Sequence, residues 1–317
     1  MSVIFLKTLA IFLMIAAGFL VRRVRMVDDP FNRQLSLLLT HVFYPALIVS
    51  AIVRNYTLAS LAANWTLPAG SALIMGAGWA VGRLALRGLA REPEGLRRTF
   101  HYQCTMNNYS FLPIMLVSGL FGGKAVAQVV FASLGAELCF WTLGIQALTG
   151  HTQPRQVLRN LLTTPMVALA AAIAVLVLGA ALPPAAALPA GVRLTGGMLL
   201  DTCQWIGQAT IPVSAVVCGC RMATIEARHL LSRPMLAMLG LRLGLIPALA
   251  VLGLALLPLP ADARPVLLVV AVQPAAMASV TMAEIYRTDA HFAAASVFLT
   301  HAACLLTIPL WLQVLGV

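Results

Sequence analysis

Charged residues are scarce in this chain of 317 residues. They make up 10% of it, whereas soluble globular domains carry roughly 25%. The chain also lacks any long hydrophilic insert or low-complexity stretch between its hydrophobic segments. Hydrophobic residues account for 61%, and the mean hydropathy is +0.92. These features exclude an ordinary soluble protein and predict one integral-membrane domain, residues 1–317, embedded in a lipid bilayer.

Common enzyme and pigment motifs are missing as well. The sequence contains no phosphate-binding loop, no H-E-x-x-H and no G-x-S-x-G. Its two lysines, Lys7 and Lys124, both fall near the predicted membrane edges, which argues against a retinal-type Schiff base. We therefore expect neither an enzyme nor a bound cofactor or metal ion.

Long apolar runs fill the chain instead. A transmembrane helix needs about 20 mostly apolar residues. By this measure there are ten candidate spans, at residues 3–21, 35–53, 66–86, 102–121, 125–149, 165–182, 197–219, 234–257, 265–285 and 291–315. The first span is followed, not preceded, by its arginines, which predicts a membrane helix and not a cleaved signal peptide.

The net charge of +11 reflects membrane topology. Of the 21 lysines and arginines, 15 lie in or beside the loops after the odd-numbered spans, among them Arg155, Arg159, Arg221 and Arg228. By the positive-inside rule these loops are cytoplasmic and both termini are periplasmic. No contiguous basic face is visible, so we expect no nucleic-acid partner. The Ala, Leu and Arg usage is typical of bacteria and predicts a multi-pass protein of the cytoplasmic (inner) membrane.

Four prolines divide the chain into two similar halves. Pro45 and Pro113 interrupt spans 2 and 4, and Pro212 and Pro274 interrupt spans 7 and 9, with offsets between the halves of 167 and 161 residues. Prolines are common in membrane helices, but four at near-equal offsets indicate an internal repeat. Since each half holds five spans, the second half enters the membrane from the opposite side. The predicted inverted repeats are residues 1–150 and 160–317.

Two spans are interrupted at mid-depth by polar residues. Residues 107–113 read NNYSFLP in span 4, and residues 273–279 read QPAAMAS in span 9. A bilayer core holds no water for orphaned backbone groups, so such breaks persist only where protein or a watery cavity receives them. Matching breaks in two halves indicate the binding site of a secondary transporter. The candidate substrate-binding residues are Asn107, Asn108, Tyr109, Pro113, Gln273 and Pro274. Alternatively, the polar groups only cap the broken backbone.

Ionisable residues inside spans are the other candidates. Arg242 lies within span 8, where burying it costs about 2.5–3.5 kcal/mol, so it should face the interior and have a partner. Glu137 in span 5 is the predicted partner. The pair is either structural, or an arginine that attracts the substrate anion beside a carboxylate that takes up a proton. Snorkelling of Arg242 toward the cytoplasm is a third interpretation. His301 in span 10 is either a packing group or a proton relay, and so is His41 in span 2.

In their order and spacing these segments resemble the auxin efflux carrier family, which includes bacterial malonate- and malate-type carriers and plant auxin exporters. The resemblance extends over essentially the whole chain. The matching stretches are residues 5–25, 44–47, 108–114, 120–122, 164–165, Arg242 with Pro247, 273–275 and 283–286.

The resemblance implies a fold and a mechanism. It implies ten transmembrane helices in two inverted five-helix repeats, with helices 4 and 9 broken and crossing at mid-membrane. It implies a scaffold of helices 1, 2, 6 and 7, a moving transport unit of helices 3–5 and 8–10, and a homodimer formed through the scaffold. A small organic anion would be held near the two breaks.

Two features depart from the family pattern. Ser110 replaces the first glycine of the family's Asn-x-Gly-Phe-x-Gly-x-Pro run, and Leu112 meets Pro113 directly, so the register of the break shifts by a residue or two. The long cytoplasmic loop of the plant exporters is absent, because the loop after span 5 runs only from Gly150 to Thr164. This moves the expected substrate from auxin toward small mono- or dicarboxylates such as malonate or malate.

The sequence therefore predicts an organic-anion transporter that works by alternating access. Glu137 and His301 are its candidate coupling residues, and a proton or a sodium ion is its coupling ion. Two alternatives stay open: a sodium-coupled symporter of the bile-acid type, which shares crossed helices, and a membrane sensor that does not transport. Sodium dependence of uptake would identify the first, and binding without flux the second.

Overall fold

The computed structural model describes residues 2–151, 162–182, 189–224 and 232–317. Within these ranges the chain is helical. The helices are α1 (Ser2–Arg23), α2 (Asp29–Asn55), α3 (Leu58–Leu89), α4 (Glu94–Thr105), α5 (Phe111–Phe121), α6 (Gly123–Thr149), α7 (Thr164–Ala181), α8 (Ala190–Ala223), α9 (Arg233–Leu254), α10 (Arg264–Ala271), α11 (Ser279–Ile285) and α12 (Ala290–Val314). Arg155, Arg159 and Arg228, which entered the charge count, lie outside the described residues.

Most of the predicted spans are unbroken apolar helices. In the described part of the chain, eight helices are long and apolar enough to cross a membrane, namely α1, α2, α3, α6, α7, α8, α9 and α12. The fourth and ninth spans are instead pairs of shorter helices, α4 with α5 and α10 with α11. The prediction of an all-α membrane fold with broken spans 4 and 9 is confirmed. The count of ten crossings stays a prediction.

Prolines accompany the distortions of the long helices. Pro45 in α2 and Pro247 in α9 each follow a π-helical turn, and α8 is interrupted shortly before Pro212. Proline lacks an N–H, and its ring clashes with the carbonyl four residues earlier, so the helix loosens there. These helices bend but continue, whereas Pro113 and Pro274 accompany complete breaks.

The helices pack as two groups. α1 packs on the second half of α8, and α2 packs on α7 and on the first half of α8. We call these four helices bundle A. The other helices form bundle B, in which α3 packs on α4, α6, α9 and α10, and α12 packs on α4 and α11. The division coincides with the scaffold and transport-unit helices that the family resemblance separates.

Bundle A depends on a close contact between two glycines and the facing backbone. A Cβ on Gly18 of α1 would lie 2.3 Å from the carbonyl oxygen of Val216, and a Cβ on Gly219 of α8 would lie 1.9 Å from that of Ile15. The backbones of α1 and α8 therefore touch, as membrane helices do where small residues face each other.

The polar half of α4 is buried in bundle B, as its composition predicts. Gln103 donates hydrogen bonds to Ser279 Oγ and to the carbonyl oxygen of Ala293, both at 3.0 Å. His101 Nε2 lies 3.0 Å from the carbonyl oxygen of Trp79. These bonds tie α4 to α3, α11 and α12 and fix one side of the break.

An ion pair joins two surface segments of bundle B. Lys124 Nζ, at the start of α6, lies 2.6 Å from Asp262 Oδ2, in the loop before α10. The ammonium group lowers the pKa of the Asp262 carboxyl below its usual value. Both side chains are about half exposed or more, so the pair contributes at most about 1 kcal/mol to stability.

Candidate functional site

The two helix breaks cross and pair with each other. Asn107 and Ala275 form an antiparallel bridge. On one side of it the Asn108 N–H donates to the carbonyl oxygen of Pro274 at 2.8 Å, and on the other the Ala276 N–H donates to that of Met106 at 3.2 Å. Each break thus satisfies backbone groups that the other has orphaned, which a bilayer core demands.

Two of the predicted site residues cap a half-helix at this crossing. Asn107 Nδ2 donates to the carbonyl oxygen of Val270 at 2.6 Å, and Gln273 Nε2 donates to that of Val269 at 2.8 Å. Both acceptors belong to the last turns of α10, whose final carbonyls have no helical partner. Asn107 and Gln273 are fully buried, and their amide oxygens have no hydrogen-bond partner within the described residues. Their amide N–H groups thus serve the broken backbone.

The two break prolines have different positions. Pro113 is the third residue of α5, in the first turn, where a missing N–H leaves no helical hydrogen bond unmade. Pro274 lies within the second break, and its carbonyl oxygen accepts the hydrogen bond from Asn108. Both prolines are buried. A direct contact of either with substrate stays a prediction.

Asn108 connects the crossing to His301 of α12. His301 Nδ1 lies 2.8 Å from the carbonyl oxygen of Val297 in its own helix, which assigns the ring proton to Nδ1. His301 Nε2 then accepts from Asn108 Nδ2, at 3.3 Å. The Asn108 oxygen lies 3.5 Å from the Leu112 nitrogen, at the start of α5. One amide therefore contacts both a titratable ring and the amino-terminal turn of a half-helix.

Tyr109 points to the opposite side, toward Glu137 of α6. The Tyr109 hydroxyl donates to Glu137 Oε2 at 2.6 Å, and Trp141 Nε1 donates to Glu137 Oε1 at 3.3 Å. Glu137 is partly exposed. The carboxylate is thus held by two aromatic donors and still reaches open space.

Arg242 does not pair with Glu137, so that prediction is wrong. The Arg242 side chain is fully buried, and its Nη1 donates to the carbonyl oxygen of Cys104 at 2.8 Å. Its Nε and Nη2 have no partner in the described part of the chain. Cys104 lies in the last turn of α4, where the unpaired carbonyls and the helix dipole favour a cation. Its position fits a structural cation at the broken helix, not a group exchanged between partners.

A cavity of about 240 Å³ lies beside the crossing, between the two bundles. We call it the crossing cavity. Bundle A contributes Ile15, Ser36, Leu39, Thr40, Ser214, Val217, Cys218 and Arg221, and bundle B contributes Asn108, Phe111, Leu112, Met115, Met277, Ala278 and His301. Neither Arg242, Asn107 nor Gln273 is among these residues. His41 is exposed and also lies outside this lining.

A second cavity, of about 310 Å³, contains Glu137 and is called the glutamate cavity. Tyr44, Tyr109, Ser133 and Trp141 also line it, and it shares Thr40, Phe111 and Ala278 with the crossing cavity. Four of the predicted site residues therefore face two adjoining cavities. Asn108 and His301 face one of them, and Tyr109 and Glu137 face the other.

A third cavity, of about 490 Å³, adjoins the crossing cavity and is called the mouth cavity. The two share Arg221 and Met277. The mouth cavity is otherwise lined by Thr224, Val280, Thr281, Glu284, Ala290, His291, Ala294 and Val297. Its residues lie at the ends of α8, α11 and α12, on the side where arginine-rich loops were predicted.

Sequence reasoning missed the contribution of α8. The charge pattern of the sequence places Arg221 in a loop and indicates no role in the site for Ser214 or Cys218. The three side chains occur at intervals of four and three residues, the spacing of one helix face. Pro212, one of the four prolines that mark the repeat, lies in the same helix. This spacing and Pro212 together indicate that this face of α8 contributes to the site.

Comparison with known proteins gives the family. A profile of membrane transport proteins matches the chain at residues 3–165 and again at 155–312. No match was found among curated proteins. The two matched segments overlap at residues 155–165 and together cover nearly the whole chain. The chain therefore belongs to the membrane transport protein family, that of the auxin efflux carriers.

Proposed function

We propose that this membrane transporter is a secondary carrier of a small organic anion and works by alternating access. The observation that supports this most is the crossing cavity, because it lies at two paired helix breaks and its walls come from both bundles. A movement of bundle B against bundle A would open such a cavity to either side in turn. Bundle A would be the fixed scaffold.

The proposed substrate is a mono- or dicarboxylate of the size of malonate or malate. The crossing cavity, at about 240 Å³, is smaller than the roughly 300–1,000 Å³ of typical drug-sized ligand pockets. A steroid-sized bile acid would not fit. Among the described residues that line it, the one permanently charged group is an arginine, and none is a carboxylate. These features favour a small anion.

Asn108 is the proposed substrate ligand among the residues of the crossing. It faces the cavity, and it adjoins the first turn of α5, whose free N–H groups carry partial positive charge. Asn107, Gln273, Pro113 and Pro274 would act by holding the half-helices in place. In this proposal Arg242 contributes to the crossing through Cys104 and not through the substrate.

Coupling is proposed to occur at Glu137 or His301. Glu137 is suited to carry a proton, since it is partly exposed in the glutamate cavity and two aromatic donors orient it. His301 is suited to respond to substrate, since it contacts Asn108. Sodium coupling would instead draw on the unpartnered amide oxygens of Asn107 and Gln273, because sodium is bound by oxygen ligands.

Uptake of labelled malonate into proteoliposomes tests the proposed function. We expect saturable uptake that an imposed proton gradient or an imposed sodium gradient accelerates, with malate and succinate as unlabelled competitors. The gradient that drives flux names the coupling ion. Absence of flux under both gradients, from protein with the elution profile of folded carrier, would reject this substrate class. Binding without flux would support the sensor alternative.

Replacing Glu137 by glutamine tests the coupling proposal. If Glu137 carries the coupling proton, Glu137→Gln should lower proton-driven accumulation at least about tenfold, because the amide keeps the size of the side chain but does not titrate. The amide oxygen can still accept from Trp141, and the amide N–H can donate to the Tyr109 hydroxyl. Exchange of labelled for unlabelled malonate across the membrane needs no net proton movement and should persist. If Glu137→Gln still accumulates malonate under a proton gradient, coupling would be assigned to His301 or to sodium. If the variant loses exchange as well as accumulation, Glu137 has a structural role.

The membrane location and the oligomer are also proposals. The exposed faces of α7 and α8 carry large apolar side chains, including Val175, Leu178, Leu199 and Trp205. Such faces suit contact with lipid or with a second scaffold, so we propose a homodimer through bundle A in a bacterial inner membrane. Both termini would be periplasmic, and the mouth cavity would open to the cytoplasm.

A further inference from the structure

Arg221 is the charged group that the crossing and mouth cavities share. It is in the last turn of α8 and is partly buried. Within the described residues its guanidinium makes no hydrogen bond and no ion pair, whereas Arg22, Arg54 and Arg98 each pair with a carboxylate. A guanidinium that faces a cavity without a carboxylate partner is available to bind an anion.

The neighbours of Arg221 direct it toward the crossing. Ser214 and Cys218 precede it on the same face of α8, and all three line the crossing cavity. Cys218 contacts Met277 of the second break, with Sγ and Sδ 3.6 Å apart. Arg221 therefore lies one helical turn beyond a direct contact with the broken helix, on the route from the mouth cavity inward.

The charges of the residues that line the crossing and mouth cavities favour the binding of an anion by this arginine. Among the described residues that line the crossing cavity there is no acid, so Arg221 gives this part of the lining a positive charge. In the described part of the mouth cavity the lining has one acid, Glu284, together with His291. Glu284 is near enough for an electrostatic interaction with Arg221, but the two form no ion pair. Guanidinium binds a carboxylate through two parallel hydrogen bonds, and Arg221 has its donors available.

We propose that Arg221 binds a carboxylate group of the substrate at the junction of the mouth and crossing cavities, and that it gives the carrier its selectivity for anions. This inference rests on the proposed function, which it deepens by naming the recognising residue. Arg221 belongs to bundle A and Asn108 to bundle B. An anion held by both would therefore bridge the two bundles, which is the coupling of binding to movement that alternating access requires.

The test compares Arg221→Gln with Arg221→Lys and with Arg233→Gln. Arg233 is exposed at the start of α9 and does not line the crossing or mouth cavity. Its loss removes the same charge and so controls for surface potential. We expect Arg221→Gln to raise the KM for malonate at least about tenfold, since a charged hydrogen bond is lost, with a much smaller change in maximal rate. Arg221→Lys should restore part of the loss, and Arg233→Gln should leave the KM unchanged.

A binding measurement separates this inference from the transport proposal. Malonate, malate and succinate are each added to purified wild-type and Arg221→Gln protein, and the thermal unfolding temperature is recorded. Stabilisation of the wild type that disappears in Arg221→Gln supports the inference, even if no flux is found and the transport proposal fails. A KM for Arg221→Gln within about twofold of the wild type would overturn it. Two further results would overturn it: an equal rise of the unfolding temperature in both proteins, or no rise in the wild type with any of the three acids.

Discussion

A covalent link between residue 277 and Cys218 should stop transport. Cys218 belongs to α8 of bundle A, and Met277 lies in the second helix break of bundle B. Their sulfur atoms are already 3.6 Å apart, so Met277→Cys places a second thiol beside the native one. If bundle B moves against bundle A in each cycle, joining the two holds one state. A short bis-methanethiosulfonate reagent makes this link, because each cysteine thiolate forms a disulfide with it and displaces a sulfinate. With about 99% of the protein linked, flux should fall about 100-fold.

The matched control is Met277→Cys combined with Cys218→Ser, treated with the same reagent. It carries the same modified side chain at position 277 but no link between the bundles. Because residue 277 lines the crossing cavity, this control measures how far the modified side chain alone obstructs transport. Its flux should fall much less than that of the linked protein, and reduction of the linked protein should restore activity. Cys220 does not confuse the assay, because its thiol is buried against the carbonyl oxygen of Gly18 in α1. Undiminished transport by fully linked protein would show that these two surfaces stay together through the cycle.

The bilayer explains why the sequence predicts so much of this fold. An uninterrupted span must be apolar over its length, so the bounds of α1, α6, α7 and α12 follow from hydropathy to within a few residues. A break is visible for the complementary reason. Burying Asn107 and Gln273 at mid-depth would cost too much free energy unless their amides bonded to a broken backbone. In the structure both amides donate to carbonyls near the end of α10.

The choice among polar residues could not be made from the sequence. Asn107 and Asn108 are adjacent residues of the same type, but their side chains have different surroundings. The Asn107 side chain donates to a carbonyl near the end of α10, and the Asn108 side chain faces the crossing cavity. Which of them faces open space depends on how the two breaks cross, and that contact joins residues far apart in the chain. Sequence alone gives the polarity of the segment but not its rotation.

The error over Arg242 has the same origin. Buried cations are usually paired with acids, and Glu137 is the acid that lies near the middle of a predicted span. The structure instead gives Arg242 one partner, the carbonyl of Cys104, which is free to accept because α4 ends there. The C-terminal end of a helix supplies partial negative charge through its free carbonyl groups and needs no acidic residue, so no pattern of side chains in the sequence predicts it. Arg221, in contrast, faces open space. The sequence assigns it to a loop because it lies just after a predicted span.

The carbonyl of Cys104 is also the point at which the second large effect is expected. Gly78 of α3 passes directly over it: a Cβ on Gly78 would lie 2.2 Å from the Cys104 oxygen and 3.1 Å from that of Thr105. These are backbone atoms at the end of α4 and have little room to give. Gly78→Ala should therefore displace the end of α4, weaken the hydrogen bond from Arg242, and cost roughly 1–3 kcal/mol or more.

Gly76→Ala is the control for this change, since a Cβ there meets nothing within 4 Å. Alanine is a better helix former than glycine, so this variant should be as stable as the wild type or more so. The measurement is the thermal unfolding temperature of each variant in detergent, together with malonate flux per folded molecule. We expect both to fall for Gly78→Ala alone, because α4 carries the crossing on which the cavity depends. Equal behaviour of the two variants would mean that α4 can shift without cost, and that the crossing is not rigidly held from this side.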